Sequence, residues 1–238
     1  MFERPHHRRI AGVLQRLDAD LLAAHACLFG GGTAMALRFG EYRESVDIDV
    51  LVSDLGHYRR LRLLLTGHGG LSAVFRQGAE VPAQQGELRA DQYGIRARLL
   101  VEDRPIKFEI VHEARIALAP PGPADRLCGI ATLVPLDMAA TKLLANSDRW
   151  ADDGVFSRDL IDLAMMQPPA ILFRQALAKA EAAYGVAVSR DLRRAIERMA
   201  ERPGWLERCV QAMGMEAAPA QLWQRIRRLR RVLAMPSA

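Results

Sequence analysis

Lysine is nearly missing from this chain. Of its 33 basic residues only Lys107, Lys142 and Lys179 are lysines, so thirty are arginines. Such a bias follows from a GC-rich coding composition, and arginine density alone therefore marks no function. The converse is useful. Where the planar fork is the default cation, a retained lysine marks a position suited to a compact ammonium. Aromatic residues are sparse at 6% and do not interleave with the basic clusters, so stacking on single-stranded bases is not indicated. Cys27, Cys128 and Cys209 are odd in number, far apart and without metal-ligand spacing. They exclude a disulfide framework and read as free thiols in a reducing compartment. His57, His68 and His112 show no ligand spacing, and His6 and His7 are expected at an exposed terminus. No apolar run approaches the ~20 residues of a membrane span. The stretch Met1–Arg9 lacks the apolar segment of a signal peptide, so the expected location is the cytoplasm.

Half of the 238 residues are hydrophobic, enough for a core in one large domain or two small ones. A net charge of +5 and a pI near 9.5 favour a polyanionic partner. Apolar Ile10, Val13, Leu14, Leu17 and Leu21 predict a helix over 8–28. A short helix follows over 33–39, closed by Gly40, then a strand over 46–52 and an Arg-rich surface helix over 57–65. Residues 71–100 read as a meander of strands, and 105–111 as a further strand. The run Ala119-Pro120-Pro121-Gly122-Pro123 is the clearest breaker. Beyond Pro135 helices are predicted near 135–147, 156–166, 170–184, 190–202, 204–213 and 218–233. The expected fold class is α+β, with an α/β domain over 1–125 and a helical domain over 126–238.

The most informative segment is Phe29-Gly30-Gly31-Gly32-Thr33-Ala34, followed by Ser45-Val46-Asp47-Ile48-Asp49. Successive glycines let backbone amides approach a phosphate closely, and a helix starting at Thr33 adds its N-terminal dipole and a hydroxyl. Strand alternation projects Asp47 and Asp49 together, with Val46, Ile48 and Val50 directed to the core. Paired carboxylates repel unless a cation lies between them, and hard oxygen donors suit Mg²⁺ or Mn²⁺ carrying a nucleotide's phosphates. Glu109 shares its strand face with Lys107, opposite Phe108, and is expected as a third metal ligand beside Asp47 and Asp49. Its bland alternative is a solvated strand glutamate. Lys142 and Arg149 lie two helical turns apart on one face and are expected to clamp an NTP. Asp159 and Asp162, spaced i, i+3, could orient either cation. Arginines at 190, 193, 194 and 198, and at 225, 227, 228, 230 and 231, form either a track for a nucleic-acid backbone or a solvated face.

These blocks resemble the AbiEii/AbiGii-type toxin family of the DNA polymerase β-like nucleotidyltransferase superfamily. The likeness rests on Gly31-Gly32-Thr33-Ala34-Met35-Ala36-Leu37, Arg43-Glu44-Ser45-Val46-Asp47-Ile48-Asp49, Lys142 with Arg149, and Arg158-Asp159 with Asp162, over residues 25 to 165. It implies a polymerase β-like mixed sheet with flanking helices and a helical C-terminal lobe. It further implies a metal on Asp47 and Asp49, nucleotide handling by Ser45 and Lys142, and a role for Asp159. With the residues read directly, the expected catalytic set is Asp47, Asp49, Lys142 and Asp159, and the expected nucleotide-binding set is Gly31, Gly32, Thr33, Ser45, Lys142 and Arg149. The implied activity is transfer of NMP from an NTP to RNA, tRNA first, by the toxin of a toxin–antitoxin or phage-defence pair with a cognate antitoxin. Thr33 stands where many superfamily members have Ser, and Arg158 where Lys is common; both keep the hydroxyl or the charge. The helices after 165 match no named pattern. Three alternatives stay open: a small-molecule acceptor, as in aminoglycoside nucleotidyltransferases, a protein hydroxyl, or a non-catalytic nucleotide- or RNA-binding module.

Overall fold

In the computed structural model, which describes residues 2–234, the chain parts into two compact units. One holds the chain through Arg38 together with Ser45–Val134; the other holds Phe39–Glu44 and the chain from Pro135 onward. The breaker at 119–123 therefore lies inside the first unit, and residues 126–134 belong to it as well.

The first unit opens with α1 (Pro5–Arg16), whose proline at the start presets φ where an amide hydrogen would lack a partner anyway. Instead of one helix over 8–28 there are two. Leu17 is extended, and the Asp18 carboxylate caps α2 (Ala19–Ala24) by accepting from the amides of Asp20 and Leu21 at 3.1 and 2.9 Å. His7 is fully buried on α1, so the exposed terminus expected there is corrected for this residue. It packs on the inner face with Ile10, Val13 and Leu14 because it lies three residues before Ile10 on the helix.

Strand β1 (Leu28–Gly30) leads into α3 (Gly31–Arg38), which begins two residues earlier than its sequence suggests. Strand β2 (Asp47–Val52) pairs antiparallel with β1 and is followed by α4 (Leu55–Thr66), whose cap Asp54 accepts from the His57 amide at 2.7 Å. The expected meander over 71–100 reduces to a 3₁₀ turn at Gly70–Val74, the short strands β3 (Ala83–Gln84) and β4 (Arg89–Ala90), and β5 (Gly94–Val101). Strand β6 (Arg104–His112) then pairs antiparallel with β5 and parallel with β2. The sheet order is β1-β2-β6-β5-β3, with β4 also on β5. A small ribbon of β7 (Arg126–Leu127) and β8 (Ile130–Ala131) completes the unit. One sheet face is core: Ile48, Val50, Ile106, Phe108, Ile110, Ile95 and Leu99 are all buried. Each such side chain contributes roughly 1.5–3 kcal/mol by leaving water. Val46 is the exception to the expected alternation. It precedes the strand and is 46% exposed.

The second unit is helical: α5 (Pro135–Arg149), α6 (Arg158–Met166), α7 (Ala170–Tyr184), α8 (Ala187–Glu201), α9 (Trp205–Ala212) and α10 (Pro219–Ala234). All six predicted helices form. Buried alanines at 139, 140, 176 and 180 let α5 and α7 lie close, while Leu192, Ile196, Leu222, Ile226 and Leu229 supply bulk. The three cysteines are free thiols. Burial pushes Cys27 up to about 12 and Cys209 up to about 11, so neither is a nucleophile at neutral pH. Among the described residues no helix is long and apolar enough to cross a membrane.

Candidate active site

The candidate residues form two charged clusters, one in each unit. In the first, Gly31 has φ +67, and a Cβ there would collide with the Asp49 carboxylate. Only glycine meets both the backbone angle and the lack of space. The turn thus brings the start of α3 against the Asp49 side chain, and the first amides of a helix have no intrahelical partner. Thr33 is fully buried, and its hydroxyl donates to Ser45 Oγ at 2.8 Å. The Ser45 amide in turn donates to His7 Nε2 at 3.2 Å. Thr33 and His7, from two helices, therefore hold Ser45 just ahead of the Asp pair. Sequence spacing marked Thr33 for nucleotide binding; in the structure its hydroxyl serves Ser45.

Asp47 and Asp49 are half-buried on the face of β2 opposite Ile48 and Val50. Register puts Asp49 directly beside Glu109 and Asp47 directly beside Lys107. The expected three-carboxylate cluster nevertheless does not form. Glu109 Oε1 meets Arg96 Nε at 3.0 Å and Oε2 meets Lys107 Nζ at 2.6 Å. Among the described residues no three Asp, Glu, His or Cys side chains converge where a metal ion could be held. The physical reason is local neutralisation. Arg96 on β5 is Glu109's cross-strand partner and Lys107 its same-face neighbour, so two cations already satisfy that carboxylate.

The second cluster is built on α5 and α6. Lys142 Nζ lies 3.0 Å from Asp159 Oδ1 and 2.7 Å from Asp162 Oδ2. Arg149 grips Asp159 with two bonds, Nε to Oδ2 at 2.7 Å and Nη2 to Oδ1 at 3.0 Å. Asp162, fully buried, also accepts a fork from Arg43, Nε at 2.7 Å and Nη2 at 3.0 Å, and the Tyr42 hydroxyl at 2.7 Å. The seven-residue step from Lys142 to Arg149 and the three-residue step from Asp159 to Asp162 bring these groups to shared helix faces. Phe156 and Ser157 enter α6 with φ of 51° and 50°, a conformation costing roughly 1–2 kcal/mol per non-glycine residue. It sets Asp159 in the first turn, where a carboxylate favours the helix dipole.

Burial opposes ionisation of Asp159 and Asp162. Burial is the largest single influence on each, but Lys142 together with Arg149 at the first and with Arg43 at the second outweighs it, so both carboxyls are held below the ordinary range. The Tyr42 phenol is raised well above its usual value by burial and then by the Asp162 charge. It is a hydrogen-bond donor at any working pH. Arg43 and Tyr42 are the members of this cluster that sequence spacing did not assign. Arg43 sits inside the recognisable block two residues before Ser45, but its partner lies 119 residues away. All three lysines of the chain are ion-paired: Lys107 with Glu109, Lys142 with Asp159 and Asp162, and Lys179 with buried Asp137.

The chain thus combines a mixed sheet, in which a glycine turn meets an Asp-x-Asp strand, with a helical unit that holds a buried Lys–Asp–Arg network. The family model described as the nucleotidyl transferase AbiEii toxin of type IV toxin–antitoxin systems matches residues 12–229, and the chain belongs to that family. It is thus a nucleotidyltransferase toxin, of a family that implies a cognate antitoxin. Among solved structures the fold is similar to JHP933 from Helicobacter pylori, at 15% identity and a TM-score of 0.53 over 98% of this chain and 95% of that one. It is also similar to MenT4, a nucleotidyltransferase toxin from Mycobacterium tuberculosis H37Rv, at 17% identity and a TM-score of 0.50 over 99% of this chain and 87% of that one. No curated protein matches the sequence.

Proposed function

We propose that the protein transfers a nucleoside monophosphate from an NTP to an RNA acceptor, tRNA foremost, and that this transfer is its toxic act. What supports it above all is the set of cations in the second cluster. Arg43, Lys142 and Arg149 converge on two buried carboxylates, Asp159 and Asp162, and the Asp148 charge also acts on Arg149. Arg149 is the most exposed of the three cations, at 34%, and its guanidinium suits an anion such as a triphosphate.

In this reading the amides of Gly31 and Gly32 donate to phosphate oxygens, and the Ser45 hydroxyl, held by Thr33 and His7, takes part in nucleotide contact. Asp159 is a positioning residue, holding Lys142 and Arg149 in orientation. Asp47 and Asp49, two hard oxygen donors on one strand face beside a turn that no side chain can fill, fit Mg²⁺ or Mn²⁺. A metal bound there would polarise the phosphoryl oxygens and offset charge developing during transfer. An acceptor hydroxyl oxygen bonds to the α-phosphorus, the bond to the bridging oxygen breaks, pyrophosphate leaves, and the hydroxyl proton is released. A net charge of +5 suits an RNA partner.

Purified protein incubated with total RNA and each α-labelled NTP in turn should incorporate label from one of them. Asp49→Ala and Lys142→Ala should each abolish incorporation while circular dichroism stays that of the parent. Undiminished incorporation in both variants would overturn the assignment. NTP binding without turnover on any acceptor would favour a binding module instead.

A further inference from the structure

The sheet face that carries Asp47 and Asp49 does not end at Glu109. Two cross-strand rows run across it, Asp49–Glu109–Arg96–Arg89 and Asp47–Lys107–Arg98, so the face turns from acidic on β2 to basic on β5 and β4. At the basic end lies a groove of about 310 Å³ lined by Gln85, Arg89, Arg96, Arg98 and Lys107, and by one carboxylate, Glu87. Arg96 is shared with Asp91 at 2.8 Å and with Glu109 at 3.0 Å. Arg89 and Arg98 are exposed, and among the described residues neither side chain has an ion-pair or hydrogen-bond partner.

We infer that this groove is the subsite for backbone phosphates of the acceptor strand, an inference that rests on the RNA-acceptor reading above. Three observations carry it. Unpaired guanidinium forks beside a half-neutralised pair match phosphodiester oxygens. No aromatic side chain lines the groove, so it would grip a backbone without stacking on bases. Its position separates it from the nucleotide's own phosphates. The glycine turn follows β1, on the other side of β2, whereas the groove lies on β5, two strands from β2 in the opposite direction. At the usual strand spacing that is ~10 Å from the Asp pair. An acceptor strand whose terminal hydroxyl meets the Asp pair would lay its preceding phosphates there.

The test compares the full chain with the Arg89→Ala/Arg98→Ala double variant and its Lys/Lys counterpart. Affinity for a total tRNA pool is measured against salt, and KM separately for NTP and for RNA. Losing two phosphate contacts should lower the slope of log affinity against log salt by about 1.5. The KM for RNA should rise at least tenfold with the KM for NTP unmoved, and the Lys/Lys variant should recover most of the slope. Unchanged RNA affinity and slope in the Ala/Ala variant would overturn the subsite. A raised KM for NTP with unchanged RNA affinity would reassign the groove to the triphosphate, which inorganic triphosphate competition would detect. If the parent protein itself labels no RNA and binds none in a salt-sensitive way, the RNA-acceptor reading fails first and the subsite with it.

Discussion

Arg43 grips Asp162 through two parallel hydrogen bonds at 2.7 and 3.0 Å, joining residues 119 positions apart. Asp162 is at the same time the 2.7 Å partner of Lys142. The pair therefore links the loop ahead of the Asp strand to the helix face that holds the candidate nucleotide lysine, all inside the second unit.

Removing Asp162 should be costly. Asp162→Ala leaves Arg43 and Lys142 without a shared counter-charge in a buried place, and breaking such a pair destabilises by about 3–5 kcal/mol. Urea unfolding should show that loss, together with loss of activity. A midpoint equal to the parent's would mean that the network contributes no stability.

The same carboxyls predict an acid limb of stability. Asp159 and Asp162 have folded values depressed below the ordinary value near 3.9. Their contribution is fully present above the unfolded value and is lost as pH falls through the folded values. Unfolding free energy should therefore decline below about pH 4, and the decline should flatten in Asp162→Asn. A parent profile flat down to pH 3 would contradict this.

Gly31→Ala should abolish activity. It places a side chain at φ +67 and drives a methyl into the Asp49 carboxylate. The backbone alone costs roughly 1–3 kcal/mol. The informative comparison is Gly40→Ala, also at positive φ but with open space around the added atom. It should lose stability while keeping most of its turnover.

Thr33→Val removes the 2.8 Å donor to Ser45 while preserving shape. A net hydrogen bond of about 1 kcal/mol translates into roughly five- to tenfold in kcat/KM for NTP. Thr33→Ser should stay near the parent. Equal kinetics for Val and Ser would show that Ser45 is held by His7 alone.

Glu109→Gln separates two roles for that residue. If its carboxylate chiefly neutralises Arg96 and Lys107, the variant should bind RNA more tightly and keep its metal dependence. Loss of activity with a raised requirement for Mg²⁺, and no change in RNA affinity, would instead make Glu109 a metal ligand during turnover.

Local rules carried much of this protein. Strand alternation determined that Asp47 and Asp49 project together, and the glycine run determined a turn only glycine can make at Gly31. Helical spacing determined that Lys142 and Arg149 share a face, because each rule needs only neighbours in the chain. What tertiary structure alone decided involves partners brought in from elsewhere. Strand register against β5 places Arg96 beside Glu109, so the carboxylate expected as a metal ligand meets two cations, Arg96 and Lys107. Folding buries His7 and sets its imidazole against Ser45, and it carries Phe39–Glu44 into the helical unit so that Arg43 meets Asp162. Charges acquire their meaning from counter-charges, and counter-charges are chosen by packing, which sequence distance does not reveal.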